Sequence, residues 1–573
     1  MGAGLRPFLA GFMYALVMGK TANNRYLGLY VLMTSVAVSL LVTPFNSIDP
    51  VSLPKLCILI VLSFIAAGFV FSDVEFFRNR KNRSVIVIVG LFLVQLFLVL
   101  FIDSRDFAYK FYGTFGRNTG FAAYLSLIFL LMASTVSATR LLLRRYVITI
   151  LSFGSFLAIY GILQSKGIDF YQFENVYGTN VFGTFGNPNF HSAFMGIAAA
   201  ASLTVVLYSR IRLSYKAGLM VLVLISIYNI SLSSQQGYLN LGLGVASATV
   251  IYLLKSRKPI LGWLSVGLTI FGVFLISLGI LNVGPLAELI YKSSLQARGF
   301  YWRAASRMIL EHPFFGVGMD GFGDHYLRSR TSEIAQVNVS ITSDSAHNIP
   351  LDIGSSGGVP LLFAYLAIIV LVFISIARIL KRNLEFDVVF TAVIAAWVAY
   401  QAQSLISINQ LGLGVWGWSL SGLIIGYELN TRTEETVLHD KPKGRNRLAN
   451  EKISPLAVLL VFITTIIGIG IALPPAIAAD KFYNALQSGN PKIIESAAYL
   501  KPNDRKRYLY VAQALQENKF EPEAIKVLRD AAKIYPDSID LWRRWVGIPS
   551  ATPTDVARAK AEIKRLDPYA PDL

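Results

Sequence analysis

Imidazole and guanidinium groups gather in one stretch of the chain. Three of the five histidines, His312, His325 and His347, fall within residues 282–358; His191 opens a predicted helix on the same side of the membrane, and His439 lies opposite. Arg298, Arg303 and Arg307 share that stretch, the last two spaced to occupy one helix face. Guanidinium forks are permanently charged and grip diphosphate oxygens bidentately, although lipid headgroups and loop carboxylates suit them too. His347 stands in Ser345-Ala346-His347-Asn348, just before the chain re-enters apolar sequence. An imidazole with an ordinary pKa of about 6.5 suits general-base work there, with a satisfied loop histidine as the plainer reading. Two Gly-Thr-Phe-Gly turns, 113–116 and 183–186, each precede a helix start, one followed by Arg117 and the other by Asn187 and Asn189. Helix N-termini suit anions, and the two asparagines fit either substrate contact or helix capping. Asp320, Asp324 and His325 are close together, but in a glycine-rich turn without firm metal-ligand spacing.

The elements that must position these groups are membrane helices. Of 573 residues, 54% are hydrophobic and 15% charged, against about 25% charged in soluble domains. Apolar runs of about 20 residues, enough to cross a bilayer, recur almost end to end, and they do not alternate as barrel strands would. Predicted spans are 26–44, 54–72, 84–102, 118–138, 146–164, 189–208, 217–232, 238–254, 260–281, 359–379, 388–408, 411–428 and 455–478. A count of twelve follows if one short span is merged or re-entrant. Pro7–Gly19 reads as an interfacial or partly inserted helix. The net charge of +18 comes from short basic clusters between the apolar runs, the pattern that orients membrane proteins, which argues against nucleic-acid binding. The single cysteine, Cys57, excludes a disulfide within one chain.

Basic residues fill every even-numbered connection: 78–83, 140–145, 210–216, 255–258, 381–382 and 432–452. That alternation places the N-terminus in the cytoplasm and the histidine-bearing connections outside. The expected organisation is an all-α polytopic membrane protein. It has spans in 1–281, a large extracytoplasmic loop 282–358, further spans in 359–478 with a basic linker 429–454 against anionic lipid headgroups, and an extracytoplasmic helical domain 479–573. In that last segment Pro502, Pro536 and Pro568 recur with a period of about 34 residues, as in tetratricopeptide repeats, or they belong to a generic helical domain. Such a tail binds a partner protein or packs on the large loop.

Several of these residues resemble one family. Gly186-Asn187-Pro188-Asn189, Arg298 before Trp302, His312-Pro313-Phe314-Phe315-Gly316-Val317-Gly318, and Ala346-His347-Asn348 followed by Gly358 are similar in order and spacing to the O-antigen ligase and Wzy-type polymerase superfamily. The resemblance covers most of 84–430. It implies a GT-C-like, inverting glycosyltransferase without metal or cofactor, acting at the bacterial cytoplasmic membrane. The donor would be an undecaprenyl-diphosphate-linked glycan and the acceptor a glycan, lipid or protein hydroxyl. By the same resemblance His347 is the base or the acceptor-orienting residue and Arg298 grips the diphosphate. Arg303, Arg117, Asn187, Asn189, Gln236, Asn348 and His312 would be substrate contacts. Relatives often carry an arginine in the stretch Ser233-Ser234-Gln235-Gln236-Gly237, where Gln236 offers a hydrogen bond without charge, and Leu361 stands where a small residue or tyrosine is common. Ligase, polymerase and protein-glycosylating activities all stay open, and beside them a flippase of lipid-linked saccharides and an envelope scaffold working through the C-terminal repeats.

Overall fold

The computed structural model describes residues 20–43, 48–170, 180–256, 259–290, 293–337, 342–383, 385–437 and 455–571, and among them there is no strand. The expected helix Pro7–Gly19, His439 and most of the linker 429–454 lie outside the described residues. The first group of helices is α1 Lys20–Leu40, α2 Ser52–Ser72, α3 Val74–Arg78, α4 Arg83–Ile102, α5 Phe107–Tyr112, α6 Phe121–Ser137, α7 Arg140–Ser165, α8 Pro188–Tyr208, α9 Leu213–Leu232, α10 Gln236–Leu254 and α11 Pro259–Ile280. The large connection holds α12 Ala287–Ile290, α13 Ser293–Glu311, α14 Phe322–Ser329 and α15 Ser332–Val337. Then come α16 Ile349–Arg382, α17 Val388–Ser404, α18 Leu411–Val437 and α19 Pro455–Gln487. The tail comprises α20 Pro491–Ala498, α21 Arg505–Glu517, α22 Glu521–Ile534, α23 Ile539–Val546 and α24 Pro553–Leu566.

Among the described residues, nine helices are long and apolar enough to cross a membrane, and three shorter apolar ones coincide with the predicted spans 26–44, 118–138 and 388–408. The remaining predicted span, 411–428, lies in α18. The centre of the bundle is α6, α8, α17 and α18, buried almost throughout. Small residues permit the close approach: Gly422 and Gly426 of α18 lie against the backbone carbonyls of Leu131 and Thr135 on α6, a Gly-x-x-x-Gly contact. At the perimeter, α11 is apolar all round and exposed, with Trp263, Leu268 and Ile270 facing outward, as a helix bathed in lipid must be. The basic ends meet at one pole: Lys255 donates to the Asn383 carbonyl at 2.6 Å, Arg140 pairs with Asp387, and Arg432 and Arg382 share the buried Glu428.

One span begins earlier than its apolar run. Predicted to start at 359, α16 starts at Ile349, because Asn348 caps it and Pro350 fits its first turn. It breaks at Gly358, whose φ of 74° is left-handed. A Cβ there would stand 2.5 Å from the Phe314 carbonyl carbon, so the break seats the His312-Pro313-Phe314 turn against the helix. Gln95 of α4 donates to the carbonyls of Phe314 and Gly357 at 2.6 and 3.0 Å, and Val359 N–H donates to Pro313 at 2.7 Å. The orphaned backbone of the break is thereby satisfied.

The tail does not stand apart. Helix α19 runs on from the membrane span into it, and Phe482 joins a tail core built on Tyr508, Val511, Leu528 and the stacked Trp542 and Trp545. Pro475 within α19 has no N–H for the Ile471 carbonyl, and the Tyr112 hydroxyl donates to that oxygen at 2.9 Å instead. The tail also packs on the large connection. Arg330 donates to both oxygens of Asp567 at 2.7 and 2.8 Å with both side chains fully buried, and Arg505 pairs with Asp324.

Candidate active site

At the pole opposite the basic clusters, a cavity of about 450 Å³ opens where α2, α6, α8, α16 and α18 begin. Convergent helix N-termini give the mouth a positive dipole field, which favours an anionic group. Both Gly-Thr-Phe-Gly turns line it. In the first, Gly113 and Gly116 take φ of 87° and 81° and Asn118 takes 56°, so the backbone curls around Asp320. That carboxylate accepts from Thr114 N–H at 2.6 Å and the Thr119 hydroxyl at 3.0 Å. The second turn uses Gly183 and Gly186 at 54° and 71° and ends in Asn187, which caps α8 by accepting from Asn189 N–H at 2.8 Å.

His347 faces the cavity from a strained position. Its φ is 51°, a conformation that costs a non-glycine residue about 1–3 kcal/mol and persists only where the surroundings enforce it. Here they do. Ala346 N–H donates to Asp352 at 2.6 Å, His347 N–H to the Ser345 hydroxyl at 3.1 Å, and the Asn348 amide to the Leu405 carbonyl at 2.8 Å. The ring Nδ1 lies 3.3 Å from the Ser345 carbonyl, which can only accept, so Nδ1 is assigned the proton and Nε2 the lone pair. Burial, and then the charges of Arg117 and Arg298, push the imidazole pKa down to about 4, so the ring is neutral at neutral pH. Tyr301, one turn after Arg298 on α13, packs its ring 5.2 Å from the imidazole.

The cationic side is asymmetric. Arg117 lies 3.4 Å from Asp344. Burial pushes the Asp344 carboxyl up, but Arg117 together with Lys506 and Arg505 of the tail outweighs it and holds it below the usual range. Asp320 moves the other way: burial raises it, and Arg117 offsets only part of the rise. Arg298 is half-buried, and burial lowers its pKa without discharging a guanidinium.

The structure thus brings His347, Arg117, Asn187 and Asn189 to one cavity, with Arg298 close enough to act on the imidazole. Gln236 stands behind, its amide donating to the Asn189 carbonyl. Asn348 is a helix cap tied to Leu405. Arg303 is on the exposed face of α13. His312 lines a second cavity of about 400 Å³ with Arg105 and His325, its ring 6.2 Å from that of His325. Asp320, Asp324 and His325 go three ways: to the first turn, to Arg505, and to the Gly321 carbonyl at 3.1 Å.

Sequence reasoning missed Asp344, Asp352 and the loop 405–410, which also line the main cavity. Only the capping pattern of Asp352, four residues after Asn348 in a helix start, hinted at a local role.

The family model described as O-antigen ligase matches residues 189–366, a segment that carries Asn189, Gln236, Arg298 and His347. Among curated proteins none matches the chain. The match, set on a multi-pass helical bundle with His347 at its cavity, supports the O-antigen ligase and Wzy-type polymerase superfamily, and a glycosyltransferase-like activity in general, through the segment 189–366.

Proposed function

We propose that the protein transfers a glycan from an undecaprenyl-diphosphate-linked donor to a hydroxyl of a glycan, lipid or protein acceptor, at the outer face of the bacterial cytoplasmic membrane. The observation that carries this reading is a neutral, strained imidazole at the wall of a cavity that Arg117 also lines, with Arg298 near enough to act on it. The acceptor oxygen attacks the anomeric carbon from the face opposite the diphosphate and gives its proton to His347 Nε2. The bond from the anomeric carbon to the phosphate oxygen breaks, its electron pair leaves on the diphosphate, and the configuration inverts. Arg298 and Arg117 meet the charge that grows on the leaving oxygens, Arg117 exchanging Asp344 for phosphate. Neutralising both guanidiniums removes two causes of the low imidazole pKa, so donor binding makes His347 a stronger base. The countercharge is supplied by guanidiniums and helix ends, and transfer that persists in chelator is expected.

On this reading the N-terminus is cytoplasmic and the tail extracytoplasmic. The tail helices, read as degenerate tetratricopeptide pairs, would keep an outward face for an envelope protein while packing on the large connection.

A flippase of lipid-linked saccharides is the second reading, because broken helices mark many transporters. The break at Gly358 falls within three turns of the start of α16, at the site rather than at mid-span, which favours transfer. Purified protein in liposomes, supplied with lipid-linked glycan and acceptor, tests the two. His347→Ala is expected to lower transfer by about 10²–10⁴-fold, with Arg298→Ala in the same direction. Near-normal transfer by both variants, or transbilayer movement of labelled lipid without transfer, refutes the proposal.

A further inference from the structure

The tail carries a groove of about 540 Å³ between α21 and α23. Lys506, Tyr510 and Gln513 line it from one face of α21, and Asp540, Arg543 and Arg544 from one face of α23. Cations outnumber acids there. Lys506 stands 3.7 Å from Asp540, and Arg543 stands 3.6 Å from Asp567, a carboxylate that already holds Arg330. Arg544 makes no ion pair among the described residues. It donates to the neutral Gln513 amide oxygen at 3.0 Å, and Gln513 is held in turn by donating to Glu517 at 2.8 Å. A guanidinium is thus fixed across the groove, from one helix to the other, with no carboxylate in contact.

The groove runs on to the main cavity. Tyr510, 39% exposed, packs its ring 6.1 Å from that of Phe115, and Phe115 lines the main cavity. Lys506 and Phe115 also line one small pocket together. Lys506 and Tyr510 are therefore the near end of the groove, and Gln513, which Arg544 contacts, lies two helical turns beyond Lys506. An aromatic face followed by amide and cationic groups suits a chain of pyranoses bearing negative charge. Sugar rings pack on tyrosine, and guanidinium and ammonium groups grip carboxylate or phosphate oxygens.

We propose that this groove holds the trailing units of an anionic glycan, bearing carboxylates or phosphates, whose leading unit lies in the main cavity. The placing of that leading unit rests on the transferase reading; the binding of an anionic glycan by the groove does not. The test is equilibrium binding to the full-length protein in phosphatidylcholine nanodiscs, which keep lipid charge out of the measurement. The probes are a hyaluronan hexasaccharide, neutral chitohexaose and hexaglutamate, against wild type, Arg544→Gln and Arg544→Lys. Wild type is expected to bind the hyaluronan hexasaccharide about tenfold more tightly than chitohexaose, with the preference shrinking as salt is added. Arg544→Gln should lose about five- to tenfold on hyaluronan at low salt and nothing on chitohexaose, while Arg544→Lys keeps most of the affinity. Both variants retain a donor for Gln513 and should melt as wild type does. Equal wild-type affinity for the two hexasaccharides, hexaglutamate bound as tightly as hyaluronan, affinity indifferent to salt, or Arg544→Gln binding as wild type does overturns the proposal. A hyaluronan preference lost in Arg544→Gln, in protein that moves no glycan in the liposome assay, removes the transferase reading and leaves the groove standing. Transfer that persists without any hyaluronan preference overturns the groove alone.

Discussion

Replacing Asp567 with alanine should loosen the tail from the large connection. Asp567 accepts two hydrogen bonds from Arg330, and the two side chains are completely buried. Removing one partner of such a pair leaves an uncompensated charge and costs about 3–5 kcal/mol. Arg543 stands 3.6 Å from the same carboxylate, so the variant also leaves two guanidiniums facing each other, which argues for the upper part of that range. At about 1.4 kcal/mol per tenfold, opening of this interface becomes roughly a hundred to several thousand times more frequent. Amide hydrogen exchange in nanodiscs reads that directly: backbone amides of α14 and α24 should exchange faster by that factor, while those of the central helices α6 and α8 stay protected. The paired variant Arg330→Met with Asp567→Leu removes both charges and should return exchange to within about 1 kcal/mol of wild type. Transfer should fall with Asp567→Ala, because Arg505 and Lys506 act on Asp344 at the cavity only while the tail is docked. Wild-type exchange in Asp567→Ala, or a paired variant as loose as the single one, would refute the reasoning.

Four further outcomes are expected. In its proposed role as base His347 works deprotonated, and burial pushes its pKa down to about 4, so the acid limb of kcat/KM should fall near that pH and not near the ordinary histidine value. By the same sign, His325 and His347 bind protons more readily in the unfolded chain, so the stability they contribute is present above about pH 6.5 and is lost as pH falls toward 4, measurable by thermal unfolding. Gly358→Ala places a Cβ against Phe314 in a left-handed backbone and should cost at least about 1–3 kcal/mol, read as a lowered melting temperature. Asp320→Ala and Asp344→Ala should move donor KM in opposite directions. The first frees the turn that carries Arg117 and raises KM; the second releases Arg117 from its carboxylate and lowers it.

The spans were legible because each is a local apolar run, and the thirteen predicted segments all coincide with helices. Asn187 was legible as a cap for the same reason, since the group it satisfies lies two residues on. His347 and Arg298 stood out through residue type and order. Other parts depend on partners far along the chain. Asp320 binds a turn 206 residues away, and Arg330 meets a carboxylate 237 residues on. Neither leaves a periodicity to read. The early start of α16 was hidden because its first turns, Ile349 to Gly358, are mixed in polarity and look like loop.

The separation of Arg330 from Asp567 has a consequence for the order in which the molecule is made. A ribosome must add 237 residues after Arg330 before the carboxylate that neutralises it exists. Through that interval the large connection carries a cation with no burial-competent counterpart, so it stays unset while the bundle inserts around it. Nascent chains that stall before Asp567 hold His347 and Arg117 of the main cavity and still lack the clasp that joins the large connection to the tail. Closure of this clasp therefore waits until residue 567 has been made, long after the spans that precede the large connection.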